Sequence, residues 1–158
     1  MTETTYTGRE KAAGWIIGII GLLGLVLNML YNPELPIPEN AVLLIFPLFI
    51  CRLIGLKRTC GVLLLLTSLI TGIALLENFQ LTSLVLTVGV FFNGLVIAVN
   101  KGMPVEGRIE PSGIHIPIDD KTKLYYLCDL SVLGRWSVGD ILVIVGLWIN
   151  FAYSVVSS

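Results

Sequence analysis

Residues 81–99 read LTSLVLTVGVFFNGLVIAV, nineteen positions without a charged side chain. A helix rises 1.5 Å per residue, so a run of this length is about as long as the hydrocarbon core of a bilayer is thick. Four further apolar runs flank it, at residues 12–30, 41–56, 60–76 and 138–156. Charged residues make up 13% of the 158-residue chain, about half of what an ordinary soluble domain carries, and they cluster between the apolar runs. So few charges cannot cover several helices that are apolar all round, whereas a bilayer can. The expectation is an all-α integral membrane bundle of about five transmembrane helices, a single membrane domain over residues 1–158.

Residues 41–56 form the weakest of the five, because the run is short and holds Pro47 and Arg52. Arg52 lies about one turn from the end and can snorkel to the headgroups, and Pro47 kinks the helix. Residues 41–76 therefore read either as two full spans or as a re-entrant hairpin. The first run, 12–30, is longer than a signal-peptide core and is followed by Tyr31-Asn32-Pro33 rather than by a small-residue cleavage site, so it reads as a retained helix.

All ten basic residues fall on one side of a five-span chain. Arg9 and Lys11 precede the first run, and Arg52, Lys57 and Arg58 separate the second from the third. Lys101, Arg108, Lys121, Lys123 and Arg135 separate the fourth from the fifth. The positive-inside rule makes that side cytoplasmic, which puts the N-terminus in the cytoplasm and the C-terminus outside. The lipid bilayer is then the first partner, and a membrane-protein partner or a homo-oligomer the second. Nucleic acid is not expected, because a net charge of −1 leaves no basic excess to neutralise phosphates.

Gly14, Gly18, Gly21 and Gly24 fall on one face of the first helix, within an arc of about 120°. Small residues let helix backbones approach closely, so this stripe is a packing surface, either within the chain or toward another protein. Asn93 and Asn150 are amides deep in apolar runs and should bond across helices, since hydrocarbon offers no partner. With Thr67 and Thr71 they could instead line a polar path. No Asp, Glu, Lys or His sits mid-span, which weighs against coupled transport.

Residues 101–136 form one ordered cytoplasmic loop, the only sizeable polar stretch. Asn100 to Val105 reads as a helix stop followed by extended chain. Gly113 to Ile118 alternates apolar and polar, as a short extended element does. Lys121 to Val132 reads as a short helix lying on the membrane, with Leu124, Leu127 and Cys128 on one face and Tyr125 and Tyr126 at headgroup level. Ser137 and Asp140 occupy the N-cap and N3 positions of a capping box that opens the last helix. His115, Asp119, Asp120 and Asp129 are the candidate acid–base residues of the loop. Their spacing matches no ligand pattern, so neither a metal nor a cofactor is expected, and no phosphate loop or nucleophile elbow occurs. Cys51, Cys60 and Cys128 lack zinc spacing and read as small buried hydrophobes.

Asn100, Gly102, Met103-Pro104-Val105, Thr122, Leu124, Leu127, Asp129 and Ser137-Val138-Gly139-Asp140 together resemble a family of small bacterial multipass membrane proteins known only as a domain of unknown function. The resemblance covers roughly residues 93–146, with Cys128 standing where the family usually has Gly. It implies a bacterial cytoplasmic-membrane location and no assigned activity. Three functions follow as expectations: a non-enzymatic scaffold or accessory subunit of a membrane complex, a membrane-interface enzyme or lipid-binding protein using residues 101–136, and a transporter or channel component. A reporter fused after Ser158 is expected to read as external, and a cytoplasmic reading would overturn the five-span topology.

Overall fold

The computed structural model describes residues 12, 16–17, 19–21, 23–24, 26–27, 56–77, 81–107, 114–130, 133 and 135–157. Three long helices dominate: α1 (Lys57–Glu77), α2 (Leu81–Asn100) and α3 (Val138–Ser157). The described residues between 12 and 27 are helical as well. The helices α1, α2 and α3 coincide with the expected runs at 60–76, 81–99 and 138–156 to within a few residues. The run at 41–56, and with it the choice between two spans and a hairpin, lies outside the described residues apart from Leu56.

Helix α2 is the centre of the bundle and packs against both α1 and α3. Glycines set both contacts. A side-chain carbon at Gly94 would sit 2.9 Å from the backbone nitrogen of Leu65, and one at Gly61 would sit 2.5 Å from that of Ala98. On the other flank, one at Gly89 would lie 2.6 Å from the carbonyl oxygen of Gly139. Gly89 and Gly94 are five residues apart and so point about 140° from each other, toward α3 and α1. Gly21 and Gly24 of the N-terminal stripe lie against Ile144 and Trp148 of α3, and the Trp148 indole donates to the Ile20 carbonyl at 3.2 Å. These two glycines therefore pack within the chain, while Gly14 and Gly18 are outside the described residues.

The main apolar cluster sits where the end of α2 meets the loop. Val96, Ile97, Met103 and Cys128 are its buried members, with Leu64, Ile114, Ile118 and Leu127 packed against them. Two strands organise the loop: β1 (Met103–Val105) and β2 (His115–Pro117), paired in parallel. α2 ends in a Schellman turn, with Lys101 left-handed at φ 61° and the Gly102 N–H donating to Ile97 O at 3.0 Å.

Three expectations change. The chain is mostly helical but not all-α, because the loop builds this small sheet. Over the described residues 121–130 the membrane-lying helix expected at 121–132 does not form; a 3₁₀ turn, Tyr125–Leu127, stands there. The reason is a tertiary contact: the Asn100 side chain clamps the Lys123 backbone from both sides (Lys123 N–H to Oδ1, 2.8 Å; Nδ2–H to Lys123 O, 2.9 Å), and Leu124 turns left-handed at φ 58°. The helical path is therefore broken at its start. Finally, among the described residues only α2 is long and apolar enough to cross a membrane, at a mean hydropathy of 2.1. The apolar run of α3, Val138–Tyr153, is shorter, so this test does not support five spans.

Gly89→Ala is expected to lower stability by about 1–3 kcal/mol, because its new methyl meets backbone that cannot yield. Gly72→Ala has nothing within 4 Å and is expected to be neutral or to stabilise by about 0.5–1 kcal/mol. Thermal unfolding of both variants in mild detergent checks this; equal losses would refute the close packing of α2 on α3.

Candidate functional site

Strand β1 works as a rail with a candidate residue on each side. On one side Met103 is in register with His115, and its N–H donates to Ile114 O at 2.9 Å. On the other, the Asp129 N–H donates to Pro104 O at 3.0 Å and the Glu106 N–H donates to Asp129 O at 3.0 Å. Pro104 has no N–H, so that second ladder stops at a single bridge, and the chain turns away after Asp129. The Arg135 N–H then donates to Leu130 O at 2.9 Å, and Leu130 bridges Trp136, which returns the chain to the start of α3. Lys57, at the first turn of α1, donates to the His115 carbonyl at 3.0 Å and ties the helix to the rail.

The result is a side-chain contact between residues fourteen positions apart: His115 Nε2 lies 3.5 Å from Asp129 Oδ2. His115 is half-buried, and Asp129 is only 4% exposed. A carboxylate beside an imidazole orients the ring. The other oxygen, Asp129 Oδ1, is buried with no hydrogen-bond partner. Burial, above all, pushes the Asp129 carboxyl above its usual 3.8; the hydrogen bond from His115 opposes this, the charge of Asp140 adds to it, and Arg135 draws it back.

A second polar knot lies beside the pair. Ser137 and Asp140 form a reciprocal capping box: the Asp140 N–H donates to Ser137 Oγ at 3.0 Å, and the Ser137 N–H donates to Asp140 Oδ2 at 3.1 Å. Asn93 of α2 joins it from across the bundle, donating to Asp140 Oδ1 at 2.7 Å and accepting from Ser137 Oγ at 2.7 Å. Every polar atom of this knot that faces a partner is thereby used.

The pair and the knot line one cavity of about 440 Å³. Its polar lining is Asn93, His115, Asp129, Arg135 and Asp140, and its apolar walls include Leu64, Ile97, Met103, Ile114 and Trp136. A smaller recess of about 150 Å³ is lined by Val105 and again by His115, Asp129 and Arg135. Among the described residues no three His, Cys, Asp or Glu side chains group as metal ligands do. The site has the composition of a small-molecule pocket, mostly apolar with a few convergent polar groups.

Of the four acid–base candidates in the loop, two converge and two do not. Asp119 and Asp120 are exposed, and the Asp119 carboxylate closes a local turn by accepting from the Lys121 N–H and the Thr122 hydroxyl, both at 3.0 Å. Thr67 and Thr71 bond carbonyls of their own helix, at 2.9 Å to Leu63 and 2.8 Å to Thr67, so they do not join Asn93 at a polar path. Asn150 is buried within α3. Cys128 is fully buried and its thiol is pushed up to about 11 by that burial, which makes it unreactive rather than nucleophilic. The sequence reading missed Arg135, Trp136 and Cys60 as cavity residues. Their only signal was position: two stand directly before the cap, and one stands in the first turn of α1.

A family model described as a family of unknown function (DUF5317) matches residues 40–152, more than two thirds of the chain and all of the site. No curated protein and no solved structure matches.

The raised Asp129 carboxyl has a consequence for stability. The folded chain holds this proton more tightly than the unfolded chain, so the group's contribution is complete below about pH 3.8 and is lost as pH rises toward its folded value. Asp129→Asn is expected to gain stability relative to the native chain over that rise. Denaturation midpoints measured across the acid range would show it, and parallel pH profiles for the two chains would refute it.

Proposed function

This chain belongs to the DUF5317 family, whose function is unknown, and on that premise we propose that it is a membrane protein whose working part is the cavity lined by Asn93, His115, Asp129, Arg135 and Asp140, a binding site for a small amphipathic ligand. The observation that carries the reading is Asp129: a carboxylate only 4% exposed, on a cavity wall, with one oxygen lacking a donor. Leaving such a group unsatisfied costs about 1–3 kcal/mol or more, so a ligand that completes it gains correspondingly. The apolar walls suit the rest of an amphiphile.

Two features support the membrane setting. α2 has a mean hydropathy of 2.1 while only 33% of it is buried by the rest of the chain. On α1, Val62, Leu66, Leu69, Ile73 and Leu76 form an exposed stripe at helical spacing, with Leu76 86% exposed. Water does not tolerate an apolar stripe of that size, and lipid does. We read the chain as a bundle of about five spans in a bacterial cytoplasmic membrane, with the 101–136 loop and the N-terminus on the cytoplasmic side.

The accessory-subunit reading, with a membrane-protein partner or a second copy, rests on the same α1 stripe, which another helix would cover as well as lipid does. It leaves the Asp129 cavity without a use. The transporter reading keeps only Asn93 of its four polar residues at the cavity.

Native mass spectrometry of the protein extracted in mild detergent is expected to find a small amphiphile retained at one per chain. Ile114→Trp, which fills the cavity from its partly exposed wall, is expected to release it. Protein that carries no ligand and takes none up from a membrane-lipid extract would overturn the binding reading, and a stoichiometric protein partner in its place would establish the accessory subunit.

A further inference from the structure

We propose that the Leu124-Tyr125-Tyr126 turn is an interfacial anchor, seated between the headgroups and the upper acyl chains of the cytoplasmic leaflet. The proposal rests on the membrane reading and adds where the loop meets the bilayer. The surface is not the one a helix would have shown, with Leu124 on the inner face beside Leu127 and Cys128. Leu124 is left-handed at φ 58°, and the side chains part behind it. Cys128 is buried in the apolar cluster and Leu127 packs against it. Leu124, Tyr125 and Tyr126 are exposed instead, Tyr126 by 81%. A leucine stays in the left-handed region only where its surroundings hold it there, and the Asn100 clamp on Lys123 is the hold.

Asn100 also fixes the depth. It is the last residue of α2, the helix long and apolar enough to span. Its side chain bonds both backbone groups of Lys123, so the three residues that follow lie level with the end of the span. At that level hydrocarbon gives way to headgroups. The turn packs against both α2 and α3, so the bundle sets its height.

The side chains suit that boundary. A tyrosine has an apolar ring and a polar tip, and tyrosines gather at membrane–water interfaces for that reason. The two rings meet edge to face, with centroids 5.6 Å apart, and present one aromatic surface beside Leu124. The surrounding charges identify the occupant further. Lys101, Lys121 and Lys123 are exposed, and Asp119, Asp120 and the half-buried Glu106 offset them. The tip therefore carries no net field to steer a charged protein partner or to select an anionic lipid. Its contact with the leaflet comes from apolar area at the right depth.

The test is fluorine NMR of the full-length protein, labelled with meta-fluorotyrosine, in phosphatidylglycerol nanodiscs. Tyr125→Phe, Tyr126→Phe and Tyr153→Phe assign the lines and keep each ring. Two paramagnets are compared, a lipid with a nitroxide near the top of its acyl chain and a water-soluble gadolinium chelate. The Tyr126 line is expected to be lost to the nitroxide lipid and to survive the chelate. Tyr153, exposed on α3, reports whether the bundle itself sits in lipid. Tyr153 lost to the lipid while Tyr126 is lost to the chelate would overturn the anchor and leave the membrane reading standing. Both lines lost to the chelate and neither to the lipid would overturn the membrane reading as well. The same result is expected in phosphatidylcholine. A Tyr126 line that escapes the nitroxide lipid there, but not in phosphatidylglycerol, would overturn the apolar anchor in favour of a contact through the lysines.

Discussion

Asn93 holds the end of the bundle next to the cavity together. From the middle of α2 it donates to Asp140 and accepts from Ser137, both at 2.7 Å, and so fixes the first turn of α3 against its neighbour. This is possible only because Gly89 and Gly139 lack side chains: their backbones touch one turn away, and a methyl at Gly139 would collide with the Asn93 amide itself. In an apolar setting an unpaired amide is costly, so the polar knot and the glycine contact enforce one another. The position of α3 in turn sets where Arg135 and Trp136 enter the cavity.

The loop owes its order to helix ends more than to its own core. α2 closes in a Schellman turn and delivers Met103-Pro104-Val105 as an extended rail, with Met103 and Val105 buried. Close approach at Gly102 sets the geometry, since a side-chain carbon there would lie 2.7 Å from Ile116. The Asn100 side chain then holds Lys123, and Lys57 of α1 holds the His115 carbonyl. Two helices, α1 and α2, thus pin the described part of the loop. The same pinning explains why a side-chain pair can form from residues on two separate segments: His115 and Asp129 are placed by backbone bonds to one three-residue strand.

Much of the helical framework was legible in the sequence. Uncharged runs of about 20 residues bounded by charged turns locate α1, α2 and α3 to within a few positions. Ser137 and Asp140 could be read as a capping box because that motif needs only residues three apart. The loop was harder. An apolar pattern at 124, 127 and 128 suits a helix, but the Asn100 side chain, twenty-three residues away, takes the backbone groups that would begin one. Likewise Asp119 and Asp120 look as suited to chemistry as Asp129, and only the fold turns two to water and buries the third.

By itself the sequence determined what depends on nearest neighbours and on composition: where the three long helices α1, α2 and α3 run, how charge is sorted along the chain and how α3 is capped. The tertiary structure alone decided which polar residues meet, because His115, Asp129, Asn93, Asp140 and Arg135 come from four separate segments whose encounter depends on helix crossing points. Those crossings are set by the close approach of glycine pairs such as Gly61 with Gly94 and Gly89 with Gly139. A glycine in a sequence does not announce which neighbour its missing side chain admits; that is fixed only when two backbones come together.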